Sequence, residues 1–316
     1  VVVRVAIDVT PLRLTRAGTA RYLRNLLAGV QPARTLAFGG PGRLGVLARE
    51  LAWYPFALSR PLDVDVLHCP TYYGPLRPAT PTVVTVHDLA VLRRPEAFPR
   101  WTRTYVPRIV PHVVRAARRV IAVSEFTAGE VETLLGVPRE RIRVVPNGVD
   151  PVFTPDGPRA EGDYVLAVGT LEPRKNLART VEAVARLGLE LRVVGARGWG
   201  GVEPSGAHVT WLGSPDDEEL ARQYRGARCA VYPSLYEGFG IPVLEAIACG
   251  TPVVTSRGGA TEEVAGGHAT LVDPLDAAAI AAGIERAQPG DAAYARAFTW
   301  ERTVEQTVAV YEEAAA

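Results

Sequence analysis

The sequence predicts an α/β protein of two domains, each built on a parallel sheet. Three observations carry this reading. Short apolar, β-branched runs alternate with amphipathic stretches along the whole chain. Those runs are continuously apolar rather than alternating, as strands covered on both faces require. A turn-rich stretch near residue 155 interrupts the alternation and divides the 316 residues into two halves of ordinary domain length.

In the first half, Val1–Ile7, Val64–Leu67, Thr82–Val86, Val120–Val123 and Ile142–Val145 read as buried strands. Thr127-x-x-Glu130 has the form of a capping box and opens a helix after the strand at Val120. Between Tyr22 and Asp65 elements are hard to place, because Gln31–Arg43 carries proline and glycine. Pro146-Asn147-Gly148-Val149-Asp150-Pro151 is a turn, and Pro155, Gly157, Pro158 and Gly162 extend it as a linker. The second half restarts with strands at Tyr164–Val168, Leu191–Val194, Val209–Leu212, Cys229–Tyr232, Val253–Thr255 and Thr270–Val272. Asn176–Leu187 sets Leu177, Thr180, Val181, Val184 and Leu187 on one helical face; Asp216–Tyr224, Asp276–Ala287 and Trp300–Ala316 are further helices. The expected division is a first domain over residues 1–157, a second over 158–297 and a closing helix over 298–316. A shared ligand would lie in the cleft, beyond the carboxyl ends of the strands.

Composition narrows the function. Hydrophobic residues at 47% and charged residues at 22% exclude collagen-like, disordered and disulfide-scaffold classes. A net charge of +1 gives no reason to expect nucleic acid. Cys69, Cys229 and Cys249 are odd in number, widely spaced and without CxxC, which fits small buried thiols in a reducing cytoplasm. Asp8 interrupts the short apolar run at the start, so a signal peptide is not expected. The longest stretch without a basic residue, Cys229–Ser256, holds two glutamates, three prolines and three glycines, so no membrane span is expected either. Of 35 basic residues, one alone is lysine: Lys175. Where arginine serves everywhere else, a lone ammonium marks a place too narrow for a guanidinium fork, unless chance preserved it.

Three constellations follow predicted strands. Gly169-Thr170-Leu171-Glu172-Pro173-Arg174-Lys175-Asn176 sets two cations at a helix N-terminus, where they are unfavourable unless an anion such as a diphosphate joins them; a solvated pair in a loop is the plainer alternative. Glu237-Gly238-Phe239-Gly240-Ile241-Pro242-Val243-Leu244-Glu245 puts two carboxylates into an apolar stretch where each needs a partner. Its glycines allow close backbone approach to a ligand, and sugar hydroxyls would serve the carboxylates. Thr85-Val86-His87-Asp88 ends a strand with a histidine and an aspartate, able to orient a substrate or simply to be satisfied within the fold. Residues 93–119 hold eight arginines against Glu96, with Trp101, Tyr105, Val106, Ile109 and Val110 interleaved. This segment could touch an anionic membrane surface, hold an acidic acceptor, or be a solvated helix face. Gly195–Gly201 lacks GxGxxG and does not support a nicotinamide site.

Together these segments resemble the retaining glycosyltransferases of family 4, with the GT-B architecture of two Rossmann-like domains facing a central cleft. Glu237 to Glu245 is similar to the family's E-x7-E motif, and Gly169 to Asn176 to its diphosphate loop. Asn147–Asp150, Ser124–Thr127, His87-Asp88 and Gly18-Thr19-Ala20-Arg21-Tyr22 also match. The resemblance implies that Arg174 and Lys175 neutralise a departing nucleoside diphosphate. It implies that Glu237 binds donor-sugar hydroxyls beside the backbone of Gly238, Phe239, Gly240 and Ile241, and that Glu245 holds the ribose. Gly18 and Gly169 would approach the donor, His87 would face its sugar and Asp88 the acceptor. No metal and no other cofactor is implied. Ala246–Ser256 and Thr261–Val264 bring it nearest the mannosyltransferase-like branch that builds bacterial polysaccharides.

The expected reaction is therefore transfer of a hexose, mannose from GDP-mannose, with retention, to a glycan, a lipid-linked or a small-molecule acceptor. A UDP-, dTDP- or ADP-sugar donor stays open, as do an epimerase, a hydrolase and a non-catalytic nucleotide-sugar-binding protein. The expected setting is cytoplasmic, with contact to the membrane surface through the arginines of 93–119.

Overall fold

The computed structural model describes residues 3–15, 18–40 and 42–316. They form two compact units: Val1–Leu92 with Arg100–Gly148 and Trp300–Ala316, and Arg93–Pro99 with Val149–Thr299.

The first unit holds six parallel strands: β1 (Val5–Asp8), β2 (Arg34–Leu36), β3 (Val66–Cys69), β4 (Thr82–Val86), β5 (Arg119–Ala122) and β6 (Ile142–Val144). Their order is β2-β1-β3-β4-β5-β6. Every residue of β1, β3 and β4 is buried, which is why these segments read as unbroken apolar runs. Val1 and Val2 of the predicted first strand lie outside the described residues. β2 falls inside the stretch that the sequence left unplaced. It is three residues long with two of them exposed, an edge strand too short to leave a pattern.

The closing helix, Trp300–Ala315, belongs to this first unit and buries Thr303, Thr307, Val310, Tyr311 and Ala314. Tyr311 Oη lies 2.7 Å from His68 Nδ1, and His68 Nε2 lies 2.8 Å from Thr85 Oγ1. Tyr22 Oη, on the helix Gly18–Gly29, reaches the same threonine at 3.2 Å. Four side chains on four elements thus satisfy one another inside the core.

One local reading is corrected. The helix predicted to open at a Thr127 capping box spans Glu125–Leu135 and is capped by Ser124, whose hydroxyl accepts from Thr127 N–H at 3.0 Å. Ser124 has the extended backbone a cap needs, whereas Thr127 is already in the first turn. In the basic segment, Tyr105, Val106 and Val110 are buried in the helix Arg100–Ala116, so they offer nothing to a membrane. Trp101 stays 40% exposed, with Nε1 donating to Glu50 at 2.5 Å.

The second unit repeats the design with β7 (Tyr164–Val168), β8 (Glu190–Val194), β9 (Val209–Trp211), β10 (Cys229–Tyr232), β11 (Val253–Ser256) and β12 (Thr270–Val272). All are parallel, in the order β12-β11-β10-β7-β8-β9. In both sheets the chain builds outward to one edge and then returns to the other side of its first strand. The switch falls between β1 and β3 in one unit and between β7 and β10 in the other, and ligands bind beyond the carboxyl ends at such points. No helix among the described residues is long and apolar enough to cross a membrane.

Candidate active site

The β7–β10 switch point gathers residues that the sequence placed in two separate motifs. Gly169, straight after β7, has φ +151°, and Gly195, straight after β8, has φ +154°. A Cβ on Gly195 would stand 1.9 Å from the carbonyl oxygen of Gly169, so only glycine lets the two loops cross. Gly169 N–H donates to Val194 O at 2.9 Å and Leu171 N–H to Ala196 O at 3.0 Å, which extends the strand pairing into the loops. The run at Gly195–Gly201 is thus a support for the Gly169 loop, a role no nucleotide motif would have revealed.

Beyond this loop the chain makes a 3₁₀ turn, Pro173–Lys175, and only then an α-helix, Leu177–Arg186. Asn176 separates them with φ +60°; among the described residues it is the one non-glycine with positive φ. Its side-chain amide donates to Pro233 O and Pro274 O, at 3.0 and 2.6 Å, which secures the strained turn. The cations therefore sit at the N-terminus of this helix, in a separate 3₁₀ turn just before it. Their anionic partners are carboxylates of the protein.

Arg174 Nη1 lies 2.8 Å from Glu237 Oε2 and Nη2 lies 2.9 Å from Glu172 Oε1. Lys175 Nζ lies 2.5 Å from Glu237 Oε1 and donates to Tyr232 Oη at 2.6 Å. The side chains of Glu172, Glu237, Arg174 and Lys175 are 2, 9, 14 and 16% exposed. Burial alone would raise the Glu237 carboxyl, but Arg174 and Lys175 override it and hold it at about 2. Burial raises Glu172, against the pull of Arg174 and Lys175. It lowers the Lys175 ammonium, against Glu237. Glu172 and Tyr232 were not singled out in the sequence. Their signal was present: a glutamate in the diphosphate loop itself, and a tyrosine ending β10.

Gly238, Phe239 and Gly240 lead from Glu237 into the helix Ile241–Ala248, with Gly240 at its N-cap (φ +108°) and Pro242 in its first turn. Glu245 lies inside that helix, 3% exposed, and accepts from Tyr224 Oη at 3.1 Å. The second carboxylate of the pair has thus found a phenol rather than a place beside Glu237.

His87 and Asp88 lie in the first unit, next to its own switch point. They border a cavity of about 250 Å³ with Arg49, Glu50, Tyr54 and Tyr73. His87 Nε2–H donates to Pro70 O at 2.9 Å, and burial lowers its pKa, so the imidazole is neutral near pH 7. Asp88 Oδ1 accepts from Ala90 N–H at 3.0 Å, where the short helix Ala90–Arg93 begins. Gly18 opens the helix Gly18–Gly29. The rings of Tyr54 and Tyr73 stack at 5.4 Å. Asp8, at the end of β1, is fully buried; its Oδ1 accepts from Thr10 N–H and Oγ–H at 3.1 and 2.5 Å, and burial raises its pKa to about 6. It anchors the turn that carries Pro11 to the cavity. Among the described residues no group of three or more His, Cys, Asp or Glu is placed to hold a metal ion.

Comparison with known proteins identifies the fold and the family. The profile described as Glycosyltransferase Family 4 matches residues 7–153, and that of Glycosyl transferases group 1 matches 153–296. The chain is 32% identical to an O-antigen chain mannosyltransferase B of Escherichia coli, over 78% of this chain and 74% of that one. It is 35% identical to an MMP alpha-(1->4)-mannosyltransferase of Mycolicibacterium hassiacum, over 80 and 72%. It is 31% identical to a D-inositol 3-phosphate glycosyltransferase of Acidothermus cellulolyticus, over 93 and 77%. The fold matches that of Anabaena Alr3699/HepE in complex with UDP-glucose, with a TM-score of 0.74 at 17% identity, over 97 and 98% of the chains. With two parallel six-stranded sheets of the GT-B type and relatives above 30% identity across most of its length, the chain belongs to glycosyltransferase family 4.

Proposed function

We propose that this glycosyltransferase moves mannose from GDP-mannose to an acceptor hydroxyl with retention of configuration and without a metal. The observation that carries the reading is the Arg174–Lys175–Glu237 cluster at the β7–β10 switch point. As the bond from the anomeric carbon to the diphosphate breaks, negative charge grows on the departing oxygen. Arg174 and Lys175, already held in place, would meet that charge without reorganising. Glu237, with both oxygens fixed by the cations, would take sugar hydroxyls on its remaining lone pairs. Backbone groups of Gly238, Phe239, Gly240 and Ile241 would line the donor, and Gly169 would admit the diphosphate closely. Glu245, oriented by Tyr224, would hold the ribose hydroxyls. Neutral His87 would face the donor sugar through Nδ1, and Asp88 the acceptor. No side chain is assigned as a covalent nucleophile.

Mannose is supported by the two mannosyltransferase relatives. The acceptor hydroxyl would belong to a glycan, a lipid-linked sugar or a small molecule, with the tyrosine faces of the first unit's cavity suited to a sugar ring. Exposed Arg100, Arg103, Arg108, Arg115 and Arg118 would support contact with an anionic membrane surface. The deciding experiment is thermal unfolding with GDP, UDP, dTDP and ADP, since the tight ligand stabilises by RT ln(1 + [L]/Kd). GDP should raise the midpoint most; a flat response to all four defeats the donor assignment. Product analysis with labelled GDP-mannose then separates transfer from hydrolysis and epimerisation, and the anomeric configuration reports retention.

A further inference from the structure

Four charged side chains share the space beside the Gly169 loop: Arg174 and Lys175 against Glu172 and Glu237. With all four ionised their charges cancel. The diphosphate of a nucleotide sugar would bring about two negative charges into a place largely closed to solvent, where unbalanced charge is costly. The two carboxylates are not equally held. Glu237 has a cationic donor on each oxygen, at 2.8 and 2.5 Å. Glu172 has one, Arg174 Nη2 at 2.9 Å on Oε1, while its Oε2 is buried without a hydrogen-bond partner.

We propose that Glu172 is the proton-linked counter-charge of the diphosphate site: it balances Arg174 before the ligand arrives and takes a proton from solvent onto Oε2 as the diphosphate enters. The inference rests on the nucleotide-sugar reading above. The titratable and charged groups facing Glu172 are Arg174 and Lys175 from its own turn, and Glu237 and Tyr232 from the β10 side. Arg197, across the bridge from Leu171, turns away to Glu203 at 2.7 Å. Glu172 is also the carboxylate that burial has raised, while Glu237 is held low. Once protonated, Oε2 becomes a donor, and Arg174 is released from one of its two anions toward the ligand. When the diphosphate leaves, the proton returns to solvent, so Glu172 also limits how tightly the product is retained.

The test is calorimetric titration of the full chain with GDP-mannose, without acceptor, near neutral pH in two buffers of different protonation enthalpy. The sugar ester is chosen because its pyrophosphate has no group titrating near neutrality. The expected result is uptake approaching one proton per ligand, with Kd tightening by up to about tenfold for each pH unit lowered across the active range. In Glu172→Gln, uptake should vanish and Kd should lose its pH dependence. Binding without proton uptake in the wild type overturns the proposal and leaves the nucleotide-sugar reading standing. Uptake that persists in Glu172→Gln overturns it too, by sending the proton elsewhere, with Lys175 the next site to test. No binding at all, to this or any other nucleotide sugar, removes both. Should Glu172→Gln not fold, infrared difference spectra of the wild type decide: a protonated-carboxyl stretch must appear on ligand addition, and its absence refutes the assignment.

Discussion

The hydroxyl of Tyr311 meets Nδ1 of His68 at 2.7 Å, joining residues 243 positions apart inside one unit. His68 is fully buried, and burial lowers its pKa to about 3. The unfolded chain therefore binds more protons than the folded one between about pH 6.5 and 3. Stability should hold above pH 6.5 and decline as pH falls through that window. Urea unfolding as a function of pH measures the slope, which should flatten in His68→Gln. Tyr311→Phe, leaving the buried imidazole nitrogen without its partner, should cost about 1–2 kcal/mol.

Lys175→Ala should fold and lose ~10²–10³ in kcat, the usual cost of removing one donor to developing charge. Lys175→Arg should not restore the rate. The ammonium fits between Glu237 and Tyr232 at 2.5 and 2.6 Å, while its stem lies 3.5 Å from where a Cβ on Gly169 would stand. A planar guanidinium cannot repeat both contacts. Steady-state kinetics of the two variants, beside their unfolding midpoints, check this, and full activity in the arginine variant would contradict it.

Gly195→Ala should be among the most damaging single-atom changes in the second unit. The added carbon would meet the Gly169 carbonyl at 1.9 Å, and backbone cannot yield as a flexible side chain does. A loss of more than ~2 kcal/mol is expected, with weaker nucleotide binding as the Gly169 loop is displaced. Gly188, where a Cβ meets nothing within 4 Å, provides the comparison: alanine there carries only the strain of φ +65°.

Exhaustive treatment with a chelator should leave the transfer rate within about twofold, since Arg174 and Lys175 are proposed to take the part a metal would play. Rates measured before and after metal removal, and again with added magnesium, test the point. A rate that disappears and returns with magnesium would require a different account of the leaving group.

The parallel strands were legible because burial on both faces leaves continuous apolar runs. Tyr164–Val168, Thr82–Val86, Cys229–Tyr232 and Thr270–Val272 were read with the ends they have. Arg34–Leu36 was not, because a three-residue edge strand with two exposed positions carries no such pattern. The helix cap at Ser124 was misassigned to Thr127 because both residues can cap, and only backbone conformation distinguishes them.

Residue type and order alone singled out Lys175, Arg174 and Glu237 as chemically meaningful, because a lone ammonium and charges in apolar surroundings need an explanation wherever they fold. Which groups answer one another was settled in three dimensions. The return of β10 alongside β7 carries Glu237 to within hydrogen-bonding distance of cations 62 and 63 positions earlier, and it encloses Glu172 and Tyr232 with them. It also leaves Glu245 under Tyr224 instead. Charge pairing depends on separation in space and on exclusion of water, and neither is written in the spacing of residues along a chain.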